Sequence, residues 1–120
     1  MVPRELLQGY DLDGLTIATL ASHSSLQIVH GARKEGFRTL LVVTEDRLWF
    51  YRQFERLVDA FVTVRRWSDL CSAEVVERLR ASSSILVPHG SFVEYVGMDC
   101  AVGLPVPIFG LRSLFPVEAG

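Results

Sequence analysis

The chain has 120 residues, the size of one domain, and we expect a single domain over residues 1–120. Hydrophobic residues make up 49% of it and charged residues 22%, which favours a packed core over a disordered chain. The formal net charge of −2 argues against a broad nucleic-acid-binding surface. No apolar stretch approaches the roughly 20 residues that span a bilayer, and the first residues lack the apolar core of a signal peptide. We therefore expect a cytoplasmic protein that binds neither nucleic acid nor membrane.

Short apolar runs alternate with segments of helical spacing along the chain. The apolar runs predict strands at residues 15–20, 39–43, 58–64, 85–87 and 106–109, the last weakened by a proline. The segments of helical spacing predict helices at residues 24–34, 72–80 and 92–96. Ser24 and Gln27 have the spacing of a capping box at the start of the first helix. Gly36 is placed to end that helix, and Ser72 to cap the second.

The order of these elements predicts the fold class. Strands recur about every 20 to 25 residues with helices between most of them, which is the spacing of βαβ units. We therefore expect an α/β fold with a mostly parallel, doubly wound sheet of four or five strands and helices on both of its faces. Because crossovers are right-handed, the turns after alternate strands should open at the same edge of the sheet.

Two features of the sequence match no recognisable motif. Residues 48–57 combine apolar side chains with arginines, and three interpretations stay open for them: a helix, a lid, or a patch at a subunit interface. Cys71 and Cys100 lie far apart in the sequence, and no ligand spacing links them. We expect reduced thiols there rather than a disulfide or a metal pair.

Two polar turns contain the candidate functional residues. Those after the first predicted strand are Ser22, His23 and Ser24, and those after the fourth are His89, Gly90 and Ser91. Ligands of doubly wound proteins bind at the carboxyl ends of the strands, so both turns would face one ligand. The N–H groups of a helix start attract an anion, and hydroxyls and imidazoles add hydrogen bonds. The alternative is that the serines only cap helices and the histidines only pack or bind the neighbouring backbone.

The sequence lacks the motifs of the better-defined binding and catalytic sites. The chain has neither a Gly-rich dinucleotide fingerprint nor a phosphate loop. A zinc site from the three histidines would need a convergence that their spacing does not suggest. A triad of Ser91, His23 and Asp99 would lack the nucleophile elbow Gly-x-Ser-x-Gly. We therefore predict no catalytic residue and no metal ligand in this chain.

The two turns and their surroundings resemble a known family. The similar segments, in the family's order, are TIATLASHSSLQI (16–28), GARKEGF (31–37), VPHGSFVEYVG (87–97) and VPIFG (106–110). They are similar to the archaeal 5-formaminoimidazole-4-carboxamide ribonucleotide synthetases, formate-dependent ligases of purine (IMP) biosynthesis. The resemblance covers about residues 10–110 and is to the Rossmann-like domain that precedes the ATP-grasp portion of those enzymes.

This resemblance implies a nucleotide site. Complete members use ATP and Mg²⁺ to activate formate and formylate aminoimidazole carboxamide ribonucleotide, and by match His23 and Ser91 contact that nucleotide. Leu111 stands where the family pattern has Asn, and residues 115–120 no longer look like the family. The groups that place phosphates and metal are not matched. We therefore expect this chain to bind the ribonucleotide or an AMP-like ligand, to hold no cofactor itself, and not to complete the reaction alone.

Three hypotheses remain. The first is the substrate-binding part of a ligase, acting as a homo-oligomer or with a separate ATP-grasp subunit. The second is a non-enzymatic module for nucleotide binding or oligomerisation, whose interface would be residues 47–56. The third is a small hydrolase that uses Ser91.

Overall fold

A single parallel sheet forms the centre of the computed structural model, which describes residues 4–22 and 24–109. The strands are β1 (Thr16–Leu20), β2 (Arg38–Thr44), β3 (Ala60–Val64) and β4 (Ser84–Leu86), in the order β3-β2-β1-β4. Every neighbouring pair is parallel, so the α/β expectation is confirmed. The expected fifth strand is a single parallel bridge between Leu86 and Ile108, because Pro107 has no N–H to extend the ladder.

Helices connect the strands. They are α1 (Ser25–Lys34), α2 (Leu48–Tyr51), α3 (Ala73–Ala81), α4 (Phe92–Val96) and α5 (Met98–Gly103). Short 3-10 helices occupy Arg4–Leu7, Glu45–Arg47, Arg52–Phe54 and Trp67–Cys71. For residues 48–57 the helix is therefore the observed alternative, short and irregular. Within residues 4–22 and 24–109, no helix is long and apolar enough to cross a membrane.

The helix ends show which local signals decide structure here. Gly36 ends α1 as expected: its φ is +90°, and the N–H groups of Gly36 and Phe37 donate to the carbonyls of Arg33 and Ala32. The Ser72 hydroxyl caps α3 by accepting the Val75 N–H at 3.3 Å. The capping box expected at the start of α1 is wrong, because the side chain before α1 makes no capping hydrogen bond.

Two hydrophobic clusters lie on opposite faces of the sheet, because successive strand residues alternate between faces. One cluster contains Leu40 and Val42 and packs against α3, α4 and α5. The other contains Leu41 and Val43 and packs against α1. Helices on both faces are thus confirmed, and the partly buried Trp67 contacts both clusters.

Cys71 and Cys100 form a disulfide, so the expectation of reduced thiols is wrong. Their Cα atoms lie 5.8 Å apart although 29 positions separate them in the sequence. The 3-10 helix Trp67–Cys71 and α5 pack side by side and bring the two sulfurs together. The bond ties the segment after β3 to the segment after α4.

Candidate nucleotide site at the carboxyl edge of the sheet

The chain reverses its direction of winding at β1, and the two polar turns lie there. From β1 the chain crosses through α1 to β2 on one side, while β4 lies on the other side of β1. The crevice at such a switch point is where open α/β sheets bind ligands. The Thr19 hydroxyl donates to the Val87 carbonyl at 2.7 Å, and the Val87 N–H donates to the Ala18 carbonyl at 2.8 Å. These bonds hold the turns after β1 and β4 side by side.

The first turn is organised by Ser25, which belongs to the polar run but is not one of the predicted site residues. The Ser25 hydroxyl, fully buried, donates to the Ser22 carbonyl at 2.6 Å and accepts the Ser22 N–H at 3.0 Å. This closed pair fixes the turn, and the hydroxyls of Ser22 and Ser24 lie 3.2 Å apart. His23 lies outside the described residues. The sequence signal for this turn was a run of three serines around a histidine, but that run did not show which serine hydroxyl is buried.

The second turn is organised by His89. The imidazole is 8% exposed, and its Nδ1 accepts the Ser91 N–H at 3.1 Å. In a neutral ring this bond places the proton on Nε2. Ser91 is at the N-cap of α4, as predicted, but the alternative that its side chain caps the helix is wrong, since that side chain makes no capping hydrogen bond. A β-carbon at Gly90 would meet nothing within 4 Å, so the protein itself does not require glycine there.

An aromatic band beside these turns was also missed. The Tyr95 ring packs edge-on against the His89 ring at 4.7 Å between centroids, and its other neighbour is the Trp67 ring at 5.2 Å. Tyr51 is buried in the cluster that contains Ala21, next to the first turn. The pKa of Tyr51 is raised above its usual value. Burial is the largest cause; the positive charge of Arg47 lowers the pKa, and Tyr95 raises it. The band therefore combines residues that follow β2, β3 and β4.

Two cavities help to locate the site. One of about 260 Å³ is lined by Arg47, Trp49, Phe50 and Tyr51, after the end of β2. A larger one of about 690 Å³ lies beside α3 and includes none of the turn residues. Among the described residues that line it, the only cation is Arg80, which already donates to the carbonyls of Leu6, Gln8 and Pro105. These residues therefore offer a ligand no free positive charge, and we favour the carboxyl edge.

The described part of the chain has no cluster of side chains that could hold Mg²⁺. Within residues 4–22 and 24–109, no three His, Cys, Asp or Glu side chains cluster as metal ligands. We therefore derive no step through a metal from these residues.

Comparison with known families decides the assignment. Residues 17–120 match a family described as a protein of unknown function (DUF1246). The chain belongs to this family. The resemblance to the archaeal synthetases is confirmed as well, and the chain corresponds to their N-terminal domain.

The relatives of this DUF1246 chain are synthetases of the kind that the sequence suggested. It is 56% identical over 115 residues to "5-formaminoimidazole-4-carboxamide-1-(beta)-D-ribofuranosyl 5'-monophosphate synthetase" of Ignicoccus hospitalis, covering 96% of this chain and 33% of that one. The enzyme of the same name from Methanococcus vannielii is 43% identical over 124 residues, covering 99% and 34%. The crystal structure of an IMP biosynthesis protein PurP from Thermococcus kodakaraensis matches with a TM-score of 0.63 and 38% identity, over 78% of this chain and 29% of that one. The chain spans about a third of the length of the curated relatives it matches.

Proposed function

We propose that this chain is the nucleotide-binding domain of an ATP-dependent ligase of purine biosynthesis. Its ligand would be aminoimidazole carboxamide ribonucleotide or an AMP-like nucleotide. The observation that carries the proposal is the juxtaposition of two polar turns at the switch point of a chain whose relatives are named as synthetases of a ribofuranosyl monophosphate. Ring nitrogens, hydroxyls and open backbone beside an aromatic band suit a nucleotide.

The proposed contacts come from both turns. His23 and Ser91 bind the nucleotide directly, as the family resemblance implies. The hydroxyl of Ser91 makes no capping bond, which supports this role. Ser22 and Ser24 would form the adjoining wall, with their hydroxyls 3.2 Å apart. His89 and Gly90 shape the other wall, since the imidazole holds the Ser91 N–H and the glycine leaves open space.

The chemical step belongs to the complete enzyme. As the resemblance implies, ATP would supply the phosphoryl group that activates formate, and the nucleotide's amine would lose a proton and displace phosphate from the activated formyl group. ATP and Mg²⁺ would be held by the remaining two thirds of the relatives' length, in the same chain or in a separate ATP-grasp subunit. The residues of this chain bind and orient the amine-bearing nucleotide. Fixing a reactant in place is itself a large part of lowering a bimolecular barrier.

Isothermal titration calorimetry with aminoimidazole carboxamide ribonucleotide and with AMP tests the proposal. The wild-type chain should bind at least one of them. His23→Ala and Ser91→Ala should each weaken binding about tenfold, the usual effect of losing one good hydrogen bond to a ligand.

Matched controls come from the same residue types elsewhere. His30 is exposed on α1, and Ser82 lies at the opposite edge of the sheet, before β4. His30→Ala and Ser82→Ala should leave affinity unchanged. Failure of the wild-type chain to bind either nucleotide would remove the proposal, and equal losses in the site and control variants would remove the assigned contacts.

A second candidate function is assembly. Trp49 is 75% exposed and Phe50 41%, in a segment that also contains arginines, and this composition is typical of interface cores. We infer a homo-oligomer formed through residues 47–56 as the alternative role of the domain. Light scattering at high concentration decides it: a clean monomer contradicts this role without affecting nucleotide binding.

A further inference from the structure

Tyr51 belongs to the buried cluster that contains Ala21, next to the first turn, and Arg47 lines one cavity with Tyr51; none of the proposed contacts uses either residue. Both belong to the segment that follows β2: Arg47 ends the 3-10 helix Glu45–Arg47, and Tyr51 ends α2. The ends of β2 and β4 flank the end of β1, so they lie about 10 Å apart, twice the spacing of neighbouring strands. A ligand held at the turn after β4 therefore needs only to cross one strand to reach the β2 side.

Tyr51 is a buried polar residue with an unused hydroxyl. It is 6% exposed and belongs to the same buried cluster as Ala21, the residue before Ser22. Its hydroxyl makes no hydrogen bond with any residue in the described part of the chain, yet its oxygen is not sealed from solvent. Packing therefore fixes the Tyr51 ring, while its hydroxyl faces solvent and is open to an external partner.

Arg47 supplies a positive charge to the same spot. It and Tyr51 line the cavity of about 260 Å³ after β2. Two carboxylates precede Arg47, but Glu45 lies 3.9 Å from Arg65 instead, and no ion pair of Arg47 occurs in residues 4–22 and 24–109. Burial raises the pKa of Tyr51, so the phenol stays protonated and donates at neutral pH, while the opposing effect of Arg47 shows that the charge is within electrostatic reach.

We propose that Arg47 and Tyr51 bind the phosphate monoester of the nucleotide, across the end of β1 from Ser91. This inference rests on the proposed function only in assuming that the phosphate belongs to a nucleotide. A guanidinium binds phosphate oxygens through two parallel N–H donors, and a phenol adds one O–H donor. The sugar would then lie over Ser22 and Ser24, and the base would lie toward Ser91.

The test compares three ligands that differ in the phosphate. They are aminoimidazole carboxamide ribonucleotide, the riboside without its phosphate, and ribose 5-phosphate. Arg47→Ala should weaken binding of both phosphate ligands on the order of 10- to 100-fold, and Tyr51→Phe about fivefold, with the riboside changed less than about twofold. Tyr51→Phe keeps the buried ring. The matched control is Arg52→Ala, an exposed arginine of the same segment, which should change no affinity by more than about twofold.

Each outcome decides something. If both variants bind the ribonucleotide with wild-type affinity, the phosphate site is overturned and the proposed function stands. The same conclusion follows if the variants lose as much affinity for the riboside as for the ribonucleotide. Arg47-dependent binding of ribose 5-phosphate without binding of the ribonucleotide keeps the phosphate site and overturns the proposed substrate. A wild-type chain that binds neither phosphate ligand overturns the phosphate site, and one that also fails to bind AMP overturns the proposed function as well.

Discussion

Reducing the Cys71–Cys100 disulfide, or replacing both residues by serine, should strongly lower the free energy of unfolding. The bond joins residues 29 positions apart and ties the 3-10 helix after β3 to α5. A cross-link of this kind acts mainly on the unfolded chain, because it removes the extended conformations that the open chain would gain.

The magnitude follows from the length of the closed loop. For 29 positions, the chain-entropy relation gives about 3.6 kcal/mol at 25 °C. An unfolding entropy of about 2.1 cal/mol/K per residue gives about 250 cal/mol/K for 120 residues. Dividing the first by the second predicts a fall in melting temperature of about 14 °C.

Thermal unfolding followed by circular dichroism, with and without a phosphine reductant, measures this shift. The double variant Cys71→Ser with Cys100→Ser should melt like the reduced protein and should not respond to reductant, which makes it the control. A shift below about 3 °C, with mass spectrometry showing that the bond was present and then lost, would refute the reasoning. Two titratable thiols in the oxidised native protein would refute the bond itself.

Two further predictions concern the first turn and the opposite edge of the sheet. Ser25→Ala should cost about 1–3 kcal/mol in urea unfolding, because it leaves the buried Ser22 N–H without its acceptor; an unchanged midpoint would contradict that. Burial raises the pKa of Asp59, but hydrogen bonds from Thr39 and the hydrogen bond and charge of Arg33 outweigh it, so the pKa is lowered. A lowered folded pKa gives stability that is present above the unfolded pKa and lost as pH falls through the folded value. Stability should therefore fall below about pH 4, and Asp59→Asn should remove part of that fall; identical pH curves for the two proteins would contradict the assignment.

The strands and the end of α1 could be predicted because they depend on short-range rules. Apolar runs flanked by turn residues predicted all four strands to within two residues at either end. Gly36 was correct because a positive φ strongly favours glycine. The capping box failed because the spacing rule does not fix backbone geometry. Ser24 has φ −92° and ψ −11°, which is helical rather than extended, so its hydroxyl does not accept an N–H of the first helical turn.

The missed features all depend on packing between distant segments. Nothing in the sequence around Cys71 or Cys100 shows that two helices bring them to 5.8 Å. Tyr51 lies in a segment whose apolar and arginine residues fitted three interpretations, and only its burial with Ala21 shows which side it faces. The turns themselves were found because parallel strands place their ends at one edge, a rule of topology that needs no side-chain detail.

Trp67 has a practical consequence for studying this chain. The chain has two tryptophans: Trp49, which is 75% exposed, and Trp67, which touches both hydrophobic clusters and lies against Tyr95. Replacing Trp49 by phenylalanine leaves one indole at the junction of the two faces of the sheet. Its fluorescence should then report loosening of either face, and nucleotide binding at the proposed site, without an attached dye.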